Sequence, residues 1–452
     1  METDQPPGLS APIGVRNLLE VYRNPFEVFP DWNDEHGDFV KIETNKGPHY
    51  ILFHPSYFDR VLVEDFERYG KGTIQEDIFE PITGSNSLLL SSGDQWHERR
   101  EMMQPAFQRE QVATYVDTMA SYAENHVQNW TAGETIAIDR EMTQLSLAIL
   151  GQTIFGEDIR NRDGPIRRAG EAIADKTDGS SVNFYLPDWL PTPTNREFDS
   201  AIEDFDRELE QLIREREETV QDSSTTTGSD DLLTRFVQIR QREGGDVMDI
   251  ATIRDNLKGL VLGGRDTAAL ALTYTVYLLA QHPTIADRVY QECQEVLGDE
   301  RPDIEALAEL EYTDAVIDES LRLYPPVYGL FREPREPTEI DGYDIPTNAT
   351  VILPVFAVQR DERWYEEPDT FDPDRWRGTS NIEAENPNFA YCPFGGGPNV
   401  CIGETFAKAE LKTALATILR EWELRPVTEE FERTIAITAQ PREELLVEVG
   451  ER

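Results

Sequence analysis

Cysteine is one of the scarcest residues in this 452-residue sequence. Only three occur, Cys293, Cys392 and Cys401, and no two of them form a C-x-x-C pair. Three such cysteines do not make a disulfide framework, and they fit a reducing compartment. We therefore expect a cytoplasmic protein.

Basic residues are also few. Lys and Arg total 42 against 87 Asp and Glu, which gives a formal net charge of −45. This charge argues against nucleic acid and anionic membrane surfaces as partners, because both require positive patches on the protein. The acidic residues are spread evenly, as in proteins adapted to high salt, where screening suppresses self-repulsion. The sequence thus predicts an extreme halophile as the source, with an ordinary acidic protein as the alternative.

Long apolar runs are missing from the start of the chain. The stretch from Met1 to Asp38 is polar and interrupted by prolines, so we expect neither a signal peptide nor a membrane anchor there. The Ser/Thr/Gly-rich segment Asp222 to Asp231 reads as a flexible connection between helices rather than a domain boundary. With 39% hydrophobic residues and no clear linker, we expect one soluble domain over residues 1–452.

One long apolar pattern is present, from Ile250 to Gln281, and it predicts a helix about 48 Å long. Two glycines in its middle, Gly263 and Gly264, each cost roughly 0.8 to 1 kcal/mol relative to alanine. This cost suggests that space is needed at a kink there, next to Asp266 and Thr267. A carboxylate beside a hydroxyl can hold water and relay protons. The alternative is a glycine-mediated helix crossing with incidental polar residues.

Periodicity predicts the other main elements. Helices are expected at Gln111–Ile149, Arg196–Val220 and Ile402–Trp422. Strands are expected at Phe39–Glu43 and Tyr50–Phe53, which form a hairpin, and at Thr350–Phe356, Thr434–Thr438 and Leu445–Val449. The region Tyr69–Ser92 is mixed, and periodicity does not assign it.

A glycine-rich loop, Phe394 to Gly403, precedes the last of these helices and contains Cys401. The amino end of a helix favours a negative sulfur, and the thiolate is the form that ligates iron. Glycines in the loop would let the backbone approach a flat ligand closely. The alternative is a small buried cysteine beside a tight turn.

The spacing F-x-x-G-x-x-x-C-x-G, carried by Phe394, Gly397, Cys401 and Gly403, resembles the cysteine loop of the cytochrome P450 family of haem-thiolate monooxygenases. The resemblance implies that Cys401 ligates the iron of haem b and that the other three residues surround it. At Asn399 the family usually has a basic residue that pairs with a haem propionate. The Asn399 amide can still donate a hydrogen bond to the cofactor but brings no charge, so at least one propionate must find its cation elsewhere.

Other motifs resemble the family in the same order along the chain. Trp96 and Arg100 share one helix face, with His97 adjacent, and W-x-x-x-R resembles the propionate-binding helix. Arg332 matches a second propionate-binding position. The stretch Tyr69–Ser92 corresponds by the resemblance to a variable loop that covers the substrate. The stretch from Gly263 to Thr267 resembles the oxygen-activating element, which implies that Gly263 adjoins the haem.

A buried Glu-Arg-Arg cluster is a further family feature. Glu319 and Arg322 form the E-x-x-R pair of an apolar-faced helix, and Arg375 lies in an F-x-P-x-R-W segment. Because buried charges must be paired, we expect these three residues to hold the cysteine loop and to have no catalytic role.

Taken together, the resemblance implies a single-domain fold that is mainly α with small β-sheets. It also implies insertion of one oxygen atom from dioxygen into an apolar small molecule, by hydroxylation or epoxidation, with Asp266 and Thr267 supplying protons. Electrons would come from NAD(P)H through a separate ferredoxin or flavoprotein, because no flavin or iron–sulfur motif is present. The alternatives are a haem-thiolate isomerase or dehydratase of oxygenated lipids, which commonly lacks the acid–alcohol pair, and a non-enzymatic haem sensor.

Overall fold

A computed structural model describes residues 7–8, 24–44, 47–158, 164–177, 181, 186, 189–222, 231–243, 248–377 and 386–452. Most of the predicted connection Asp222 to Asp231 lies outside these residues. The chain forms two compact units, each built from separate stretches of sequence. Unit 1 comprises Met1–Ile78, Asp314–Glu404 and Glu432–Arg442, and unit 2 comprises Phe79–Thr313, Thr405–Phe431 and Glu443–Arg452.

Helices dominate the described chain. They are α1 Pro25–His36, α2 Pro55–Asp59, α3 Thr73–Thr83, α4 Gly93–Met103, α5 Arg109–Val127, α6 Ile138–Phe155, α7 Pro165–Thr177, α8 Pro193–Asp222, α9 Leu232–Glu243, α10 Ile250–Gln281, α11 Pro283–Leu297, α12 Ile304–Glu309, α13 Glu311–Leu323, α14 Val355–Val358 and α15 Glu404–Glu421.

Short strands supply the rest of the regular structure. They are β1 Phe39–Thr44, β2 Gly47–Leu52, β3 Tyr69–Gly70, β4 Glu134–Ala137, β5 Leu330–Pro334, β6 Thr338–Ile340, β7 Tyr343–Ile345, β8 Thr350–Leu353, β9 Trp422–Pro426, β10 Arg433–Ile435, β11 Ala439–Pro441 and β12 Leu446–Glu451. The predicted class, mainly α with small sheets, is confirmed.

Unit 1 is built on a five-stranded sheet with the order β1-β2-β8-β5-β3. The predicted hairpin is its first pair, with Phe39 opposite Leu52. Successive side chains of a strand point to opposite faces, and both faces are buried here. Phe39 and Leu52 belong to one apolar cluster, whereas Val40 and Ile51 belong to another. The sheet therefore forms the core of this unit, and β5 lies within it.

Unit 2 is built around α10, whose bounds are those predicted from the sequence. Asp249 caps its first turn by accepting a hydrogen bond from the backbone N–H of Thr252 at 2.7 Å. The helix is buried on every side from Ala268 to Ala280. A helix that is apolar all round belongs inside a protein core, and α10 packs against α6.

The predicted helix Gln111–Ile149 is wrong in its middle. The chain leaves α5 after Val127, turns at Gly133 with φ of 82°, and enters β4 before α6 begins. The partner of β4 is β12, at the other end of the sequence. A local apolar period cannot reveal a strand that is fixed by such a distant partner.

Two other boundaries differ from the sequence prediction. Trp422 begins β9, which pairs with β12, so the last helix ends one residue earlier than expected. The region Tyr69–Ser92, interpreted as a loop, contains the 11-residue helix α3. Among the residues described, no helix combines the length and the apolarity needed to cross a bilayer.

Candidate functional site

Cys401 ends a closed loop in unit 1. Its backbone N–H donates to the carbonyl oxygen of Phe394 at 2.9 Å, and α15 begins three residues later. The Cys401 side chain is exposed, whereas Cys293 and Cys392 are buried. Burial raises the pKa of both buried thiols to about 12, so they stay protonated and poor metal ligands. Cys401 is therefore the cysteine that can act as a thiolate ligand.

At two positions of the loop, contacts that the sequence did not reveal leave no room for a side chain larger than that of glycine. A Cβ at Gly396 would lie 2.0 Å from a ring carbon of Phe389, and one at Gly397 would lie 2.0 Å from the carbonyl oxygen of Leu62. Gly397 also has a φ of 64°, which disfavours any other residue. These glycines were expected to admit a flat ligand. The groups that actually lie against them belong to the protein itself.

Asn399 lies in the short 3₁₀ turn before the cysteine. Its side-chain oxygen accepts a hydrogen bond from the ammonium group of Lys71 at 3.1 Å. The ammonium group of Lys71 therefore lies next to position 399, where the family usually has a basic residue. Gly403, the last glycine of the motif, has its Cβ position 3.9 Å from the sulfur of Cys401.

Arg332 lies on β5 and is only 7% exposed. Burial lowers the pKa of its guanidinium to about 10, and its side chain donates to the carbonyl oxygen of Phe331 at 2.8 Å. No carboxylate of the described chain pairs with this guanidinium. A buried charge without a counter-ion is costly, so the site fits a ligand that presents an anionic group, as haem does with its propionates.

The expected Glu-Arg-Arg cluster is present in unit 1. Glu319 and Arg322 are fully buried and joined by two hydrogen bonds of 2.8 Å. Arg375 donates to Glu319 at 3.0 Å, and the indole N–H of Trp376 donates to it at 2.9 Å. Every charge here is paired within the cluster, and its role in holding the cysteine loop stays a prediction.

In unit 2, α4 carries the predicted Trp96, His97 and Arg100. Trp96 is buried, and His97 is exposed with Nδ1 3.0 Å from the carbonyl oxygen of Gly93. Arg100 is partly exposed and donates to Gln104 at 2.7 Å. Its neighbour Arg99 is buried instead and bonds Ser91 and Asn86 in the preceding loop. The two arginines therefore do not form a solvated pair, and Arg100 is the more accessible cation.

The two glycines of α10 differ in function. A Cβ at Gly264 would lie 2.8 Å from Leu150 of α6, so this glycine permits close helix packing. A Cβ at Gly263 would meet nothing within 4 Å, which leaves open space at that position. Helical backbone continues without a break through Thr267, whose hydroxyl donates to the carbonyl oxygen of Gly263.

Asp266 is a partly buried carboxyl group on the same helix. Burial raises its pKa, and the charge of Arg265, whose Nε lies 3.5 Å away, lowers it. The guanidinium of Arg265 also fills the space over Gly170 of α7, where a Cβ would lie 1.6 Å from Nη1. Sequence reasoning found Asp266 but missed Gly170 and Lys71, because both become relevant only through contacts between distant segments.

Comparison with known proteins assigns the chain to a family. The sequence matches the family Cytochrome P450 over residues 6–447. It is 30% identical to Cyclooctat-9-en-7-ol 5-monooxygenase of Streptomyces melanosporofaciens, over 94% of this chain and 90% of that protein. It is also 30% identical to Pentalenene oxygenase of Streptomyces avermitilis, over 94% of this chain and 92% of that protein.

A solved structure agrees on the fold. The cyanobacterial P450 CYP120A1 with bound retinoic acid superposes with a TM-score of 0.87 over the full length of both chains, at 21% identity. The thiol presented by the cysteine loop, the orphan cation on β5 and these matches support one assignment. The chain belongs to the cytochrome P450 family and is a monooxygenase whose cofactor is haem.

Proposed function

We propose that the enzyme inserts one oxygen atom from dioxygen into an apolar small molecule, by hydroxylation or epoxidation. Electrons come from NAD(P)H through a separate ferredoxin or flavoprotein. The observation that carries this proposal is Cys401, an exposed thiol at the end of a closed glycine loop. Its spacing to Phe394, Gly397 and Gly403 matches that of the family's ligand loop.

Cys401 is the proposed iron ligand, since the other two cysteines are buried and protonated. Arg332 is proposed to bind a propionate, because its buried charge requires an anion. By motif, Trp96, His97 and Arg100 are further propionate donors, and Gly263 adjoins the macrocycle. When bound, haem supplies the oxygen-activating redox chemistry, and a thiolate ligand promotes cleavage of the O–O bond.

Asp266 and Thr267 are the proposed proton carriers. Because burial raises its pKa, the Asp266 carboxyl holds a proton to a higher pH than an exposed aspartate does. The Thr267 hydroxyl donates its proton to the Gly263 carbonyl oxygen, so its own oxygen can accept a hydrogen bond from water. Water held by these two groups would carry protons into the space beside Gly263.

The names of two relatives support a proposal for the substrate class. Their names specify pentalenene and cyclooctat-9-en-7-ol, a hydrocarbon and an alcohol with a hydrocarbon skeleton. We propose a cyclic, mostly apolar molecule for this enzyme. Titrating a library of such compounds and measuring the shift of the Soret band would identify ligands. Turnover with NADPH and a surrogate ferredoxin system under ¹⁸O₂ should give one labelled oxygen per product.

Replacing the proposed ligand tests the assignment directly. Cys401→Ser should abolish the red-shifted Soret band of the reduced carbonyl complex, because an alcohol does not replace a thiolate at iron. Cys293→Ala removes a cysteine elsewhere and should keep the band. If the band persists in Cys401→Ser, another residue is the ligand.

Replacing Thr267 tests the proton carriers. Thr267→Ala should leave haem content unchanged but divert reducing equivalents to hydrogen peroxide, whereas Thr267→Ser retains a hydroxyl and should couple normally. The measurement is the ratio of peroxide formed to NADPH consumed. An unchanged ratio in Thr267→Ala would remove this residue from the proton path.

A further inference from the structure

The ammonium group of Lys71 lies 3.1 Å from the side-chain oxygen of Asn399, two residues before Cys401 in the sequence. Both residues belong to unit 1. An amide oxygen that accepts from an ammonium group orients it without neutralising its charge. The cysteine loop therefore holds the ammonium group of Lys71, a cation that comes from outside the loop's own sequence.

Strand pairing brings Lys71 towards a second cation. In the ladder between β3 and β5, Tyr69 faces Pro334 and Gly70 faces Glu333. Lys71 directly follows Gly70, and Arg332 directly precedes Glu333, so both cationic residues adjoin the last pair of this ladder. An anionic group held at this end of the ladder would be attracted by both charges.

The backbone around Lys71 is fixed on both sides. Gly70 is held in the ladder, and Gly72 has a φ of 86° with its Cβ position 2.9 Å from Cβ of Glu333. The carboxylate of Glu333 accepts from the backbone N–H of Thr73 at 2.7 Å, which caps α3. Little conformational entropy therefore remains for the backbone of Lys71 to lose when an anion binds.

We propose that Lys71 supplies the positive charge for a haem propionate that position 399 lacks, and that Asn399 acts as the positioning residue for its ammonium group. Lys71 and Arg332 together form the cationic side of the propionate site in unit 1. The inference rests on haem binding by this chain, and it holds whatever the substrate or the electron donor proves to be.

The test measures haem loss from the purified holoprotein. Transfer of haem to excess apomyoglobin is followed for the wild type, Lys71→Gln and Lys71→Arg. Loss of a charge-assisted hydrogen bond should accelerate haem release about tenfold in Lys71→Gln. Lys71→Arg keeps the charge and should stay near the wild-type rate. Lys41→Gln, which removes a lysine paired with Glu43 on β1, is the matched control and should not change the rate.

Moving the positive charge from Lys71 to position 399 separates the proposed role of Lys71 in binding a propionate from a purely structural one. Asn399→Arg combined with Lys71→Gln should restore the wild-type rate of haem release, because the charge returns from the loop itself. The reduced carbonyl spectrum of every variant reports whether iron ligation is intact, so failure of the Cys401 assignment is recognised separately. Equal haem release from Lys71→Gln and the wild type, with the spectrum preserved, would overturn the proposal.

Discussion

At the scale of single residues, Glu410 is a buried ionisable group outside the site. It lies on α15, is almost completely buried, and accepts a hydrogen bond from the hydroxyl of Ser146 at 2.6 Å. Burial raises the pKa of its carboxyl group to about 7, and the bond from Ser146 opposes that rise. The group is therefore neutral in the folded protein under mildly acidic conditions.

Glu410 should make the stability of the protein depend on pH. An unfolded glutamate titrates near pH 4.3, so between about pH 4.5 and pH 7 the folded state binds more protons than the unfolded state. The stabilising contribution is complete below this interval and is lost as pH rises through it, by about 1.4 kcal/mol per pH unit. The Tm of Glu410→Gln minus the Tm of the wild type should therefore be larger at pH 8 than at pH 5. A Tm difference independent of pH would contradict the raised pKa.

At the scale of elements, the contact between α7 and α10 controls the surroundings of Asp266. The Arg265 guanidinium occupies the space over Gly170 and is the cation that lowers the pKa of Asp266. Any shift of α7 would therefore change the charge near the proposed proton carrier. This arrangement couples a helix that carries no predicted site residue to the chemistry on α10.

Adding one methyl group at this contact should alter the pH profile of turnover. Gly170→Ala would displace the Arg265 guanidinium and raise the pKa of Asp266 further, because a nearby positive charge favours the carboxylate. The limb of the pH profile that reports Asp266 should move to higher pH, and Arg265→Ala should move it in the same direction. Gly259→Ala on α10 is the control, since a Cβ there has ordinary contacts. An unchanged profile in both variants would exclude the coupling.

Elements also show how much the sequence could reveal. The bounds of α10 were predictable because apolar spacing, the Asp249 cap and Pro283 are all local signals. The strands β4 and β9 were not, since each depends on pairing with β12. The same division applies to the site. Cys401, Trp96 and Arg332 stand in recognisable motifs, whereas Lys71 is linked to Asn399 only by tertiary structure.

At the scale of the whole molecule, the net charge of −45 governs behaviour in solution. The self-repulsion of such a coat acts over roughly 10 Å at 0.1 M salt and over much shorter distances at molar salt. The compact state should therefore be favoured by salt. This charge leaves the fold itself unexplained, since composition does not determine topology.

Thermal denaturation at increasing salt checks this expectation. Raising sodium chloride from about 0.1 M to about 2 M should increase Tm by about 10 °C, because screening relieves repulsion among the carboxylates. Neutralising exposed acids on α8 with Glu197→Gln, Asp199→Asn and Glu203→Gln should reduce the salt dependence. A Tm that does not change with salt in the wild type would count against adaptation to brine.

The cysteine loop has a consequence for how the enzyme matures. The Phe389 ring and the Leu62 carbonyl group already occupy the space over Gly396 and Gly397, and a backbone bond already joins Cys401 to Phe394. These contacts are all made within the polypeptide, so they constrain the loop independently of the cofactor. The haem-free protein should therefore keep the loop conformation. It should bind added haem on simple mixing, without being denatured and refolded.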